Sequence, residues 1–143
     1  MDRLTGARHR LAGTTDLPAV LDVAYDAFED LLAVLRHHQE DDEVAFPAFV
    51  LAAAAAANGR DWIAGADGLP PAMPRERENA ADPTVCVPVA DVARIASALA
   101  SDLATRLTAV AASAGGAGDQ QCCQGAAAEA RTMLALLSGA SPP

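Results

Sequence analysis

LPAVLDVAYDAFEDLLAVL, residues 17–35, is the stretch on which the fold turns. Leu17, Leu21, Ala24, Phe28, Leu31 and Leu35 follow one another at steps of four and three, so they fall on one stripe of an α-helix. Thr15 or Asp16 can cap its start. Pro18 is tolerated in the first turn, where a missing N–H has no intrahelical partner. The spacing predicts a helix to about Gln39. Asp22, Asp26, Glu29 and Asp30 lie on its other side, which reads as a solvated acidic face.

Working outward, Glu40-Asp41-Asp42-Glu43 is a turn whose acids also favour the start of a following helix. A second helix begins near Val44, with Phe46, Val50, Ala53 and Ala57 at helical spacing. Its remaining faces are apolar too, including six consecutive alanines from Ala52 to Ala57. A helix apolar all round is normally buried on several sides, so it is expected at the centre of the fold. Asn58-Gly59 threatens to end it; if the helix survives them it reaches Trp62-Ile63-Ala64. Residues 65–88 are a Pro-rich connection with Pro70, Pro71, Pro74, Pro83 and Pro88 and a charged middle, Arg75 to Asn79. A third helix starts near Val89 and runs to the glycine cluster before Asp119. A fourth, capped by Asp119, carries Cys123, Ala127, Ala130, Leu134 and Leu137 on one stripe. No segment alternates with period two.

The expectation is an all-α chain. Residues 1–15 would be a flexible basic arm, residues 16–139 a four-helix bundle with its long Pro-rich connection at 65–88, and residues 140–143 a tail. Of the 143 residues 36 are alanine, and only 3% are aromatic, so the core is thin. Burying a large aliphatic side chain contributes about 1.5–3 kcal/mol and an alanine much less, so a homo-oligomer is expected.

Net charge is −9, and all ten cations are arginine. The charge is local: residues 1–15 carry +2, 16–43 carry −8 and 44–143 carry −3. An acidic chain lacks the cations that neutralise phosphates, which disfavours a nucleic-acid partner or an anionic membrane surface. The longest apolar run, Val44 to Ala57, is fourteen residues, short of the ~20 that span a bilayer. No signal-like h-region follows the first arginines, so a reducing cytoplasm is expected, with Cys86, Cys122 and Cys123 as thiols. No cofactor motif and no metal-type spacing is present.

Two places remain for function. Asp22, Asp26, Glu29 and Asp30 form a candidate docking face for a basic protein surface. They face away from the apolar seam and the chain has no Glu-x-x-His to complete a di-metal set, so a metal-dependent bundle enzyme using them is only the third reading. The alternative is a small-molecule or enzymatic pocket at Asn58, Arg60, Asp61 and Trp62, with His38 as the acid–base group. Charged groups in phase with an apolar stripe persist only when paired. The cysteines read as core packing, since only a helix N-terminus would lower a thiol pKa there. The binding reading leads, and no reaction is assigned.

Overall fold

The structure is a computed structural model that describes residues 2–71 and 87–140. Arg75 to Asn79 and Cys86 lie outside the described residues. Those described form helices only: α1 (Asp2–Ala12), α2 (Leu17–His38), α3 (Phe46–Ala64), α4 (Val89–Ser113) and α5 (Ala117–Ala140).

The decisive stretch behaves as its spacing demands. The carboxylate of Asp16, in extended backbone, accepts the Ala19 N–H at 3.3 Å and caps α2, with Pro18 in the first turn. Leu21, Ala24, Phe28, Leu31 and Leu35 are fully buried. Downstream, the Asp42 carboxylate accepts the N–H groups of Val44 (2.8 Å) and Ala45 (3.2 Å), so the acidic turn supplies donor partners just ahead of α3.

Among the described residues five helices stand where four were expected. Residues 2–12, read as a loose arm, form α1, with Leu4, Ala7 and Leu11 buried at helical spacing. Three apolar residues among arginines and a glycine make a weak pattern. What holds α1 is the surface it lies on, against α2 and α4. Arg3 and Arg10 pair with Asp30 of α2 at 3.5 and 3.8 Å, and Arg8 pairs with Asp102 of α4 at 2.7 Å. The basic and acidic segments, separate in sequence, thus partly neutralise one another in space.

Around the bundle α2 packs on α3, α3 on α5, α5 on α4 and α4 back on α2. Directions follow from one contact. The Asp119 carboxylate at the start of α5 accepts the N–H groups of Asp67 (2.8 Å) and Gly68 (3.3 Å), just past the end of α3. The end of α3 therefore meets the start of α5, and the two run antiparallel. A short turn joins α4 to α5, so α4 runs in the same sense as α3.

The helix expected at the centre is not central. Among the described elements α3 touches only α2 and α5, whereas α4 touches α1, α2 and α5. The phase read from the sequence is also displaced. Of the expected inward residues Ala53 is buried and Ala57 half-buried, but Phe46 and Val50 are exposed, and Phe49, Ala52, Ala56, Gly59 and Ile63 face the core in their place. An all-apolar helix carries no polar side to fix its rotation, and here a contact fixes it. A Cβ on Gly59 would sit 2.5 Å from Phe28 Cε1 and 2.6 Å from Cζ, so the bare glycine backbone is where the Phe28 ring rests. The helix passes through Asn58-Gly59 unbroken.

By length and composition α4 would also reach across a bilayer. Here it is a core helix, with Val92, Ala96, Leu99, Leu103 and Leu107 fully buried.

Candidate functional site

Continuation of α3 puts Asn58 and Asp61 on its outer side, both exposed. Arg60 is half-buried and pairs with the neighbouring Asp61 carboxylate at 3.4 Å. The pairing matches the rule for semi-buried charge, but the guanidinium is satisfied within its own turn rather than aimed into a cavity. The Trp62 indole lies across Gly125 of α5, where a Cβ would overlap the ring, and it stays 39% exposed. Asn58, Asp61 and Trp62, with Glu129 of α5, line an open notch of about 290 Å3. The sequence reading lacked Glu129, because only the α3–α5 packing brings it there.

His38 is elsewhere. It ends α2, its Nδ1 2.8 Å from Asp41 Oδ2, beside the turn that leads into α3. Asn58 lies twelve residues into α3, about 18 Å along the axis. The histidine and the Asn58–Trp62 group therefore occupy different ends of the helix, and His38 is not within reach as an acid–base group for the notch.

The acidic face is not an open one. Asp22, Asp26, Glu29 and Asp30 are all half-buried and have interaction partners. Asp30 in particular is covered by Arg3 and Arg10 of α1. The arm that was expected to be loose is what covers Asp30. Among the described residues no three His, Cys, Asp or Glu side chains converge as a metal site.

Both described cysteines are free thiols held in the protonated form. Burial, reinforced by the Asp119 carboxylate and by Cys122, pushes the Cys123 thiol up to about 11. Burial, then Asp119 and Asp67, raises Cys122 as well. Position near a helix start favours thiolate, but desolvation and two carboxylates outweigh it, so neither is an activated nucleophile. A second surface cleft, about 360 Å3, lies between α4 and α5 beside Thr108, Gln124 and Arg131. Arg131 Nη2 donates to Thr108 Oγ1 at 2.8 Å across it.

The surface that sequence reasoning missed is the outer side of α3. Among the described residues Val44 (88% exposed), Phe46, Val50, Leu51 and Trp62 are the large apolar residues left open to solvent, and all belong to α3 or the turn before it. Ala54 lies among them, exposed. The available signal was the uniform apolar character of 44–57, which reads equally as a buried helix or as one whose outer side awaits a partner. Compared with known proteins, the chain matches no family model, no curated protein and no solved structure.

Proposed function

We propose that the chain is a homo-oligomeric interaction protein that docks through the outer face of α3, not through the acids of α2. The observation that carries this reading is the exposure of Val44, Phe46, Val50, Leu51 and part of Trp62 along the outer side of α3 and the turn before it, which no other described element covers. Exposed apolar residues scattered singly are ordinary, whereas a contiguous set on one side marks a surface that is covered in use. A thin, alanine-rich core adds to the argument, because covering that face recovers burial the monomer lacks. The adjacent free thiols of Cys122 and Cys123 suit a reducing compartment, and the reading places the protein in the cytoplasm.

The test is the native size of the chain in extracts of cells that make it, comparing wild type with Leu51→Asp and with Thr105→Asp, an exposed position on α4. The expected result is an assembly larger than 14.6 kDa for wild type and Thr105→Asp, reduced to the single chain by Leu51→Asp. Identical sizes for all three would refute the reading.

A further inference from the structure

We infer that the outer face of α3 receives a helix of another protein, apolar along one stripe and basic at both ends. This rests on the docking reading of that face and deepens it by naming the chemistry of the partner.

The face is apolar in its middle and acidic at its ends. Phe46, Val50, Leu51 and Ala54 are exposed along its first turns, and residues 44–59 carry no charged side chain. Ahead of them stand Glu40, Asp41, Asp42 and Glu43, all exposed. Beyond them Asp61 and Glu129 line the notch with Asn58 and Trp62. Cations close by in the chain do little to balance these carboxylates. Arg60 is engaged by Asp61 and His38 by Asp41, which leaves Arg36, exposed one turn before the acidic stretch.

The notch has the chemistry of a seat for a cation. Its two carboxylates are acceptors, and the Trp62 indole, resting on Gly125 and partly exposed, adds an aromatic wall. Arg60 meets Asp61 at Oδ1 alone and at 3.4 Å, longer than a strong charged hydrogen bond, so the carboxylate keeps capacity for a second donor. A Lys or Arg from the partner can lay its apolar stem along Trp62 and bring its head to Asp61 and Glu129.

Spacing sets the form of the partner. Asp61 lies about 22 Å along the axis from Phe46. A helix laid along α3 therefore presents apolar side chains over about four turns, with a cation at each end. An extended segment would instead set unpaired N–H and C=O groups on an alkyl surface, a cost that a helix avoids. Charge sign separates this partner from a copy of the chain. Copies sharing the face set carboxylates against carboxylates, so the basic helix displaces them.

The experiment uses the purified full chain and two synthetic helices of about 18 residues, free of tryptophan. Both carry leucine on one stripe and alanine elsewhere. One has lysines in its first and last turns; the other has glutamates in those places. Trp62, the single tryptophan of the chain, reports binding through its emission and its quenching by acrylamide. The expected result with the lysine helix is a blue-shifted, protected Trp62 and a Kd of about 1–100 µM. That affinity should fall about tenfold when salt rises from about 0.05 to 0.5 M, and the glutamate helix should not bind. Leu51→Ser, and Asp61→Asn combined with Glu129→Gln, should each weaken the lysine helix about tenfold with unchanged helical content. Thr105→Asp, exposed on α4, should not weaken it. The inference is overturned by no binding, by equal binding of the two helices, or by binding that either weakening variant leaves intact. If the lysine helix fails to bind while Leu51→Asp still abolishes the assembly in cell extract, the α3 docking reading stands and only the basic helix is excluded.

Discussion

Replacing Gly59 by alanine tests why α3 is rotated as it is. On an exposed helix position the change would stabilise, because alanine is favoured over glycine in a helix interior by about 1 kcal/mol. At this position the new methyl would lie 2.5, 2.6 and 2.8 Å from Phe28 Cε1, Cζ and Cδ1. The Phe28 ring is fully buried and cannot swing into solvent. Relieving three such overlaps means shifting the ring against Leu and Ala neighbours or parting α2 from α3, and overpacking a dense core costs about 1–3 kcal/mol or more. The balance is a loss of about 1–2 kcal/mol, or a fall in Tm of about 3–8 °C for a domain of this size. Thermal and urea unfolding followed by circular dichroism at 222 nm reads both quantities. Phe28→Leu in the Gly59→Ala background should cost less than Phe28→Leu alone, with a coupling of about 1 kcal/mol, as expected of residues in contact. A Gly59→Ala protein as stable as wild type, or more so, would refute the argument that this contact sets the phase of α3.

Further outcomes follow from the same contacts. Gly125→Ala should push the Trp62 indole off α5 and shift its emission to the red with little loss of stability, because that ring is partly exposed and can yield; unchanged emission would deny the packing. Leu4→Ala should cost about 2–4 kcal/mol in urea unfolding, as for a buried leucine, whereas a loose arm would lose nothing. For Cys123 the folded thiol pKa of about 11 exceeds the ordinary 9.0, so above pH 9 the unfolded chain gives up its proton first. Stability should hold below pH 9 and fall between pH 9 and 11; Cys123→Ala should remove that part of the fall, and a wild-type profile identical to the variant's would refute it.

Much of the helical framework was legible from local spacing. The stripe from Leu17 to Leu35, Asp16 as cap and the glycine cluster after Ser113 each set an element without help from the rest of the chain. What was not legible depended on partners distant in sequence. α1 carries only Leu4, Ala7 and Leu11 as apolar anchors, and its identity as a helix comes from the groove of α2 and α4 and from Asp30 and Asp102. The rotation of α3 depends on Phe28, about thirty residues from Gly59, because alanine all round leaves the helix without a polar side to read. The candidate sites inherited those two gaps. Asp30 looked solvated only while α1 was taken as loose, and Arg60 looked inward only while Phe46 and Val50 did. The notch needed Glu129 from another helix, which no spacing within α3 can announce.

If the outer face of α3 is covered when the chain associates, Trp62, the single tryptophan of the chain, reports on it directly. Leu51 is eleven residues from Trp62, about 16 Å along one helix, so within a single copy the two do not touch. Acrylamide quenching of Trp62 is measured in wild type and Leu51→Asp at a concentration where wild type is associated. The account predicts a blue-shifted, poorly quenched Trp62 in wild type, and a red-shifted, readily quenched one in Leu51→Asp with unchanged helical content. Equal quenching in the two proteins would contradict it.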